Sequence, residues 1–129
     1  MSFDWSKYLY LAQELAGQPT SPSGEEARLR SAISRAYYAA FCKARNYLRD
    51  EEKLLVPPGG EAHSYVRDVF RTSSDSLYRR IGHNLARLRI DRNRADYEDF
   101  VAGLSSITVI DLKLAKEVIS DLSTLRENV

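Results

Sequence analysis

The sequence predicts an all-α fold, an antiparallel up-and-down bundle of four main helices and one short helix. Apolar residues recur at helical spacing in five segments of the chain. Stretches that contain glycine, proline and serine separate the first three segments. Strand-like alternation between turn signals is absent, apart from residues 105–110 as the one candidate strand. The length fits a single helical domain over residues 1–129.

The first two helices are separated by a loop of Pro, Ser and Gly residues at 18–24. Apolar spacing predicts the first helix from about 4 to 16. Ser23, followed by Glu26, has the form of a capping box and opens the second helix, which runs to about Asp50. Alanines on several sides make this helix thin, so that neighbours can approach closely. We expect it to be the central helix.

The remaining helices follow a Pro-Pro-Gly-Gly break. Apolar spacing predicts a short third helix over 62–71 and a fourth that opens near 74–76 and ends between 94 and 99. Thr108 with Asp111 has the form of a second capping box, which predicts that the fifth helix opens there. A long apolar seam follows it, as expected for a helix that packs against the bundle.

Composition excludes several classes of protein. The apolar fraction of 43% and the charged fraction of 29% are typical of a globular chain and not of a disordered one. The longest run without a charge, residues 100–110, is shorter than the roughly 18 residues of a membrane helix. The chain starts without a basic segment followed by an apolar one, so we expect no secretory signal, no membrane partner and a cytoplasmic location. The single cysteine, Cys42, agrees with a reducing compartment.

The basic residues are unevenly distributed although the net charge is only +1. Fourteen of the nineteen are Arg, and residues 67–94 hold eight Arg against three Asp. Arg grips phosphate in a planar, bidentate manner, so this bias favours a phosphate-bearing partner. The alternative is a solvated helix face on which the arginines pair with neighbouring acids.

Signatures of several enzyme classes are missing. The sequence has no glycine-rich phosphate loop, no G-x-S-x-G, no HExxH and no Cys or His cluster. The two histidines, His63 and His83, lie on different predicted helices and have no carboxylate spaced as a co-ligand. We therefore expect neither a metal site nor a cofactor.

Arg92 is the anomaly of the fourth helix. It continues the line of the apolar stripe that includes Leu85 and Leu88, so its charge should point inward. A buried guanidinium needs an acceptor, an opening to solvent or a bound anion. Either Asp96, one turn later, forms a latch with Arg92, or Arg92 lines a cleft that binds phosphate.

The second helix carries a face of Arg and Tyr residues opposite its apolar stripe. Aromatic residues among arginines suit base stacking with phosphate contact, and they also suit the interface of a homodimer. Both interpretations stay open at this stage. The face consists of Ser31, Arg35, Tyr38, Cys42, Arg45 and Arg49.

Three segments together resemble a known family: Ser34-Arg-Ala-Tyr-Tyr-Ala-Ala-Phe41 with Ala44-Arg45, then Ala62-His63-Ser64, then Arg92-Asn-Arg-Ala-Asp-Tyr97. They are similar to small prokaryotic proteins of the HEPN superfamily, in the branch with S-R-A-Y-Y-A-x-F and R-x-x-A-D-Y motifs. The resemblance implies a helical bundle that is usually dimeric. Many relatives are metal-independent ribonucleases, often toxins whose antitoxin partner is a minimal nucleotidyltransferase. Others are nucleotide-binding or interaction domains.

The nuclease members of this superfamily have an Arg, commonly followed by a polar residue, and then a His a few residues later. Arg92 and Asn93 match the first two positions, and Tyr97 stands where the His is expected. A Tyr has a reference pKa of about 10, so it is a poor base at pH 7. His63 could supply the base only through the tertiary fold or from a second subunit.

These observations leave three hypotheses. In the first, a dimer binds RNA or a nucleotide in a toxin-antitoxin-like system: Arg92 holds phosphate, Asp96 orients Arg92, and Tyr97 bonds or stacks. In this hypothesis the binding surface extends over Asn93, His63, Arg35, Tyr38 and Arg45. In the second, the motif residues are structural, and the protein is an interaction module for its own copy or a nucleotidyltransferase. In the third, it is a metal-independent endoribonuclease with Tyr97 or His63 as the base.

Overall fold

The computed structural model describes residues 3–18 and 22–128, the side chains of residues 22 and 23 excepted. The secondary structure of this part of the chain is helical throughout, with no strand, which confirms the prediction of an all-α protein. The five helices are α1 (Ser6–Gly17), α2 (Pro22–Asp50), α3 (Glu61–Arg71), α4 (Ser76–Tyr97) and α5 (Leu104–Glu127). With 12 residues, α1 is almost as short as the 11-residue α3, so there are three long helices and two short ones instead of four and one.

The predicted start of α5 is wrong. α5 begins at Leu104, directly after Gly103, whose φ of 69° is the left-handed conformation that glycine adopts without strain. Thr108 therefore lies inside α5, where its Oγ1 donates to the carbonyl of Leu104 over 2.8 Å. Residues three apart lie on the same face of a helix, so the T-x-x-D spacing also fits two residues on the buried face of a helix interior. The candidate strand at 105–110 is part of this helix.

α2 begins at Pro22, next to the predicted opening at Ser23. The side chain of Ser23, on which the predicted capping box depends, lies outside the described part of the chain. A proline is favourable at the first helical position because it has no N–H to leave unpaired. The predicted start of α4 is confirmed: Asp75 caps this helix by accepting from the backbone N–H groups of Leu77 and Tyr78, at 2.8 and 3.2 Å.

α2 is the central helix, as predicted, and it contacts each of the other four helices. Its small residues allow this, since a helix with methyl side chains on several faces lets its neighbours approach closely. Five of its alanines have no exposed surface: Ala32, Ala36, Ala39, Ala40 and Ala44. The larger buried side chains of the same helix, Ile33, Tyr37 and Leu48, fill the space between these approaches.

Two contacts hold α3 and the end of α4 in place. A Cβ on Gly82 would lie 2.4 Å from the backbone nitrogen of Arg71, so α3 and α4 cross at a point where only glycine fits. Arg30 of α2 donates to the carbonyl oxygens of Ala95, Glu98 and Asp99 at 2.9, 2.6 and 3.1 Å. These bonds satisfy carbonyl groups that the last turn of a helix leaves free, and they fix the end of α4 against α2.

Within the described ranges, no helix is both long enough and apolar enough to cross a membrane.

Candidate functional site

A groove of about 880 Å³ runs between α2, the start of α1, the start of α3 and the connection between α2 and α3. Its charged lining is Arg35, Arg45 and Arg49, and none of the described carboxylates lines it. We call it the arginine groove. The remaining lining residues are aromatic, apolar or small: Trp5, Tyr8, Tyr38, Phe41, Cys42, Leu54, Leu55, Val56, Pro57, Pro58, Gly59, Ala62 and His63.

Two of the three arginines lie over aromatic rings. The guanidinium carbon of Arg35 is 4.9 Å from the centre of the Tyr8 ring and 5.3 Å from that of Tyr38. The guanidinium carbon of Arg45 is 5.6 Å from the ring centre of Trp5. Such contacts hold a guanidinium in place but leave its N–H groups free to donate.

Carboxylates within the described ranges do not neutralise Arg35 or Arg45. Arg35 donates to the hydroxyl of Ser34 and Arg45 to the side-chain oxygen of Asn46, and both acceptors are uncharged. Arg49 differs, since its Nε lies 2.7 Å from a carboxylate oxygen of Asp50. The groove therefore carries positive charge that the fold itself does not compensate.

His63 of α3 is one of the residues that line the groove. Its Nδ1 is hydrogen-bonded to the hydroxyl of Tyr37, and its ring stacks on Phe41 with 4.2 Å between ring centres. Burial lowers the pKa of His63, and the positive charges of Arg89, Arg92 and Arg45 lower it further. The imidazole is therefore neutral at pH 7.

Arg92 lies beside the groove and is held by several partners. Its Nε is 3.0 Å from Oδ2 of Asp96, and the two side chains are 16% and 27% exposed. Nη1 donates to Asn93 over 2.8 Å, and Nη2 donates to the hydroxyl of Tyr38. Asp96 also accepts a hydrogen bond from Ser34 over 3.3 Å. The latch that the sequence offered as one interpretation of Arg92 is therefore present.

The Arg92–Asp96 contact is an ion pair without hydrogen-bond geometry, because the buried Nε of Arg92 has no hydrogen-bond partner. The guanidinium also lies over aromatic rings, 5.0 Å from the ring centre of Tyr38 and 5.8 Å from that of Tyr97. Tyr97 itself is 74% exposed.

The structure divides the predicted site residues into two groups. Arg35, Tyr38, Arg45 and His63 line the arginine groove. Arg92, Asn93, Asp96 and Tyr97 do not line it, and they form a second cluster at the end of α4. Tyr38 belongs to both groups, since its ring lies under Arg35 and its hydroxyl accepts from Arg92.

The three segments that carry the HEPN resemblance meet in space. Ser34 contacts Asp96, Tyr38 contacts Arg92, and Tyr37 contacts His63. Comparison of the chain with protein-family models, with curated proteins and with solved structures found no match. The assignment to the HEPN superfamily therefore stays a prediction from the motifs.

Sequence reasoning missed several residues of the site. Trp5, Tyr8 and Tyr37 follow the apolar stripes of their helices, so their spacing indicated core positions. The Val-Pro-Pro-Gly-Gly stretch at 56–60 predicts only a break between helices, whereas residues 54–59 line the groove. Arg89 donates to Ser64 over 3.2 Å at the start of α3, a contact that no local spacing predicts.

The described side chains give little support to a metal site or to a reactive cysteine. Within the described ranges no group of three His, Cys, Asp or Glu side chains is placed to hold a metal ion. Cys42 is a free, buried cysteine, and burial raises the pKa of its thiol. A thiol of raised pKa forms little of the reactive thiolate at neutral pH.

Proposed function

We propose that the arginine groove binds the phosphate of a nucleotide, either free or within an unpaired stretch of RNA. The observation that carries the proposal is the pair Arg35 and Arg45, which face the groove over aromatic rings and have no carboxylate partner in the described part of the chain. Uncompensated arginine charge in an accessible groove attracts an anion, and Arg binds phosphate oxygens with strong, charge-assisted hydrogen bonds.

The rest of the groove suits a base. Trp5 and Tyr8 are partly exposed and offer aromatic rings beside the arginines, and unpaired bases stack on such rings with little sequence preference. The volume of about 880 Å³ lies within the roughly 300–1,000 Å³ of small-molecule sites. One or two nucleotides fit this space, and a longer RNA would continue beyond it.

The motif resemblance adds a biological setting to the proposal. A dimeric HEPN-like protein that binds RNA or nucleotides would act as one component of a toxin-antitoxin-like pair, with a minimal nucleotidyltransferase as its antitoxin. A metal-independent endoribonuclease activity would be the catalytic form of this role. The meeting of all three motif segments around Tyr37, Tyr38 and His63 supports this setting.

A second candidate function is a non-catalytic interaction module. The Arg92–Asp96 ion pair favours it, because two motif residues that satisfy each other have less charge to offer a ligand. In this alternative the Arg and Tyr face of α2 contacts a second copy or a nucleotidyltransferase.

Binding measurements on charge-matched variants test the proposal. The wild-type protein and a variant with Arg35→Ala and Arg45→Ala are titrated with AMP and with a labelled single-stranded oligo(U) at low salt. We expect the double substitution to weaken binding at least about 150-fold, since each charge-assisted hydrogen bond contributes about 1.5–3 kcal/mol and two are lost. The control carries Arg67→Ala and Arg126→Ala, which remove the same charge from paired arginines outside the groove.

The outcomes separate the candidate functions. AMP that displaces the oligo(U) indicates a nucleotide subsite, and oligo(U) binding without AMP binding indicates RNA. Equal losses in the double variant and its control would mean that only the overall charge matters, which contradicts the groove. Absence of binding by the folded wild-type protein to either probe would leave the interaction module.

A further inference from the structure

The hydroxyl of Tyr37 is buried, and it has one hydrogen-bond partner among the described residues. Tyr37 is 1% exposed, and that partner is Nδ1 of His63. A phenol has one proton to donate, and a buried donor without an acceptor is costly. Tyr37 therefore donates, and Nδ1 of His63 accepts. Burial raises the pKa of Tyr37, so the phenol keeps this proton at neutral pH.

The other ring nitrogen of His63 is then the protonated one. A neutral imidazole carries one proton, and when Nδ1 accepts, the proton is on Nε2. Nε2 makes no hydrogen bond to the described residues, and it is not buried. It is therefore reached by solvent, and His63 lines the arginine groove.

The surroundings of His63 keep the ring neutral and oriented. From α2, Tyr37, Tyr38, Phe41 and Arg45 face it, and the ring stacks on Phe41 at an interplanar angle of 17°. From α4, the charges of Arg89 and Arg92 act on it. All these charges are positive, so they oppose the second proton that would make the ring cationic. They also favour an anion in front of Nε2.

We propose that Tyr37 fixes the tautomer of His63, so that His63 presents Nε2–H to an acceptor atom of the ligand in the arginine groove. The ligand part of this inference rests on the proposed function, whereas the tautomer is a property of the free protein. Tyr37 is then a positioning residue, and His63 is a binding residue.

This arrangement has a consequence for RNA cleavage. A base that takes the proton of the 2′-hydroxyl needs a free lone pair, and Nε2–H has none. His63 therefore binds the nucleotide and does not act as the base of a ribonuclease. The groove has the donors of a binding site: Arg35, Arg45 and the His63 Nε2–H.

Nitrogen NMR of the ligand-free protein tests the tautomer. The His83→Gln variant, labelled with ¹⁵N at histidine, leaves His63 as the single imidazole signal, and His83 is exposed and outside the groove. Two-bond ¹H–¹⁵N correlations at pH 7.5 distinguish the two tautomers. We expect the Nε2–H form alone, and a mixture of both forms after Tyr37→Phe.

The matched control is Tyr47→Phe. Tyr47 is also a buried tyrosine of α2, and its hydroxyl bonds to that of Tyr78, away from the groove. Its loss should leave the His63 tautomer unchanged. An Nδ1–H signal in the parent protein overturns the inference, and so does a tautomer that Tyr37→Phe leaves unaltered in a folded protein.

Binding of AMP tests the donor role. In His63→Gln the amide nitrogen replaces Nε2–H as a donor, so we expect affinity within about threefold of the parent. His63→Leu removes the donor and should weaken binding about tenfold. Equal affinity of both variants and the parent would overturn the donor role. If the parent binds neither AMP nor oligo(U), the proposed function and the ligand part fail together, and the NMR result still decides the tautomer.

Discussion

The arginine groove and the contact between α4 and α5 use charge in opposite ways. In the groove, Arg35 and Arg45 have uncharged neighbours and an open side. Between α4 and α5, charges are paired: Arg80 lies 2.6 Å from a carboxylate oxygen of Asp121, and Arg87 lies 2.9 Å from one of Asp91. We call this second region the acidic seam; its buried carboxyl groups are Asp91, Asp111 and Asp121.

The seam contains one uncompensated group, Asp111. It has no exposed surface, and within the described ranges no basic side chain forms an ion pair with it. Burial raises the pKa of Asp111 to about 8, and the neighbouring Asp91 contributes to the rise. Asp111 therefore keeps its proton at neutral pH.

The two regions show where an unpaired charge remains available to bind a ligand. A buried carboxyl that lacks a counterion takes up a proton and loses its charge. An arginine at an open groove keeps its charge, because its pKa is too high and water too close for it to be neutralised. The arginines therefore keep their charge in the arginine groove, whereas Asp111 is neutral in the acidic seam.

The largest expected effect concerns Asp111. Its folded-state pKa is raised above that of the unfolded chain, so its stabilising contribution is complete below about pH 4 and is lost as pH rises through about 8. Relative to Asp111→Asn, which mimics the protonated acid, the wild-type protein should lose on the order of 4 kcal/mol of unfolding free energy over this range. Chemical denaturation at several pH values measures this difference.

The exposed Asp99 offers the control, since Asp99→Asn should keep the pH dependence of the wild type. Parallel pH profiles for the wild type and Asp111→Asn would show that the seam does not bind this proton, and the contrast with the groove would fail.

A smaller effect is expected at Arg92, between the two regions. Arg92→Ala leaves Asp96 without its ion-pair partner and the Tyr38 hydroxyl without its donor. Because Arg92 and Asp96 remain partly exposed, we expect a loss of about 2 kcal/mol in unfolding free energy. The affinity for AMP should change less than about threefold, since Arg92 does not line the groove.

Arg94→Ala is the matched control, since Arg94 is separated from its nearest carboxylate oxygen, on Glu98, by 3.8 Å. Its loss should change stability by less than about 0.5 kcal/mol. If the Arg92→Ala protein is fully stable but no longer binds AMP, Arg92 belongs to the binding site and not to a structural cluster.

The smallest effect is the response to salt. Binding of oligo(U) through two phosphate contacts should weaken roughly sevenfold, about 1.2 kcal/mol, between 50 and 200 mM KCl. Pairs with one buried partner, such as Arg87–Asp91, are screened less than fully exposed pairs, so unfolding free energies should change little over the same range. Oligo(U) affinity that stays constant up to 0.5 M salt would contradict phosphate contacts in the groove.

Local spacing determined much of the fold and part of the site. Helical periodicity predicted all five helices, because the side chains that share a face follow from 3.6 residues per turn whatever the helix packs against. The same rule placed Arg35, Tyr38 and Arg45 on one face and predicted the latch between Arg92 and Asp96. The HEPN resemblance, the dimer and the nucleotidyltransferase partner stay predictions.

Which helix faces meet depends on the tertiary structure. Tyr37 and His63 are 26 residues apart and touch because Gly82 lets α3 and α4 cross closely while α2 packs against both. Asp111 had the spacing of a cap and became a buried acid, since packing and not spacing determines access to water. A helical pattern predicts which residues share one face of a helix. Whether a charge then finds a counterion, a proton or open solvent depends on residues that are distant along the chain.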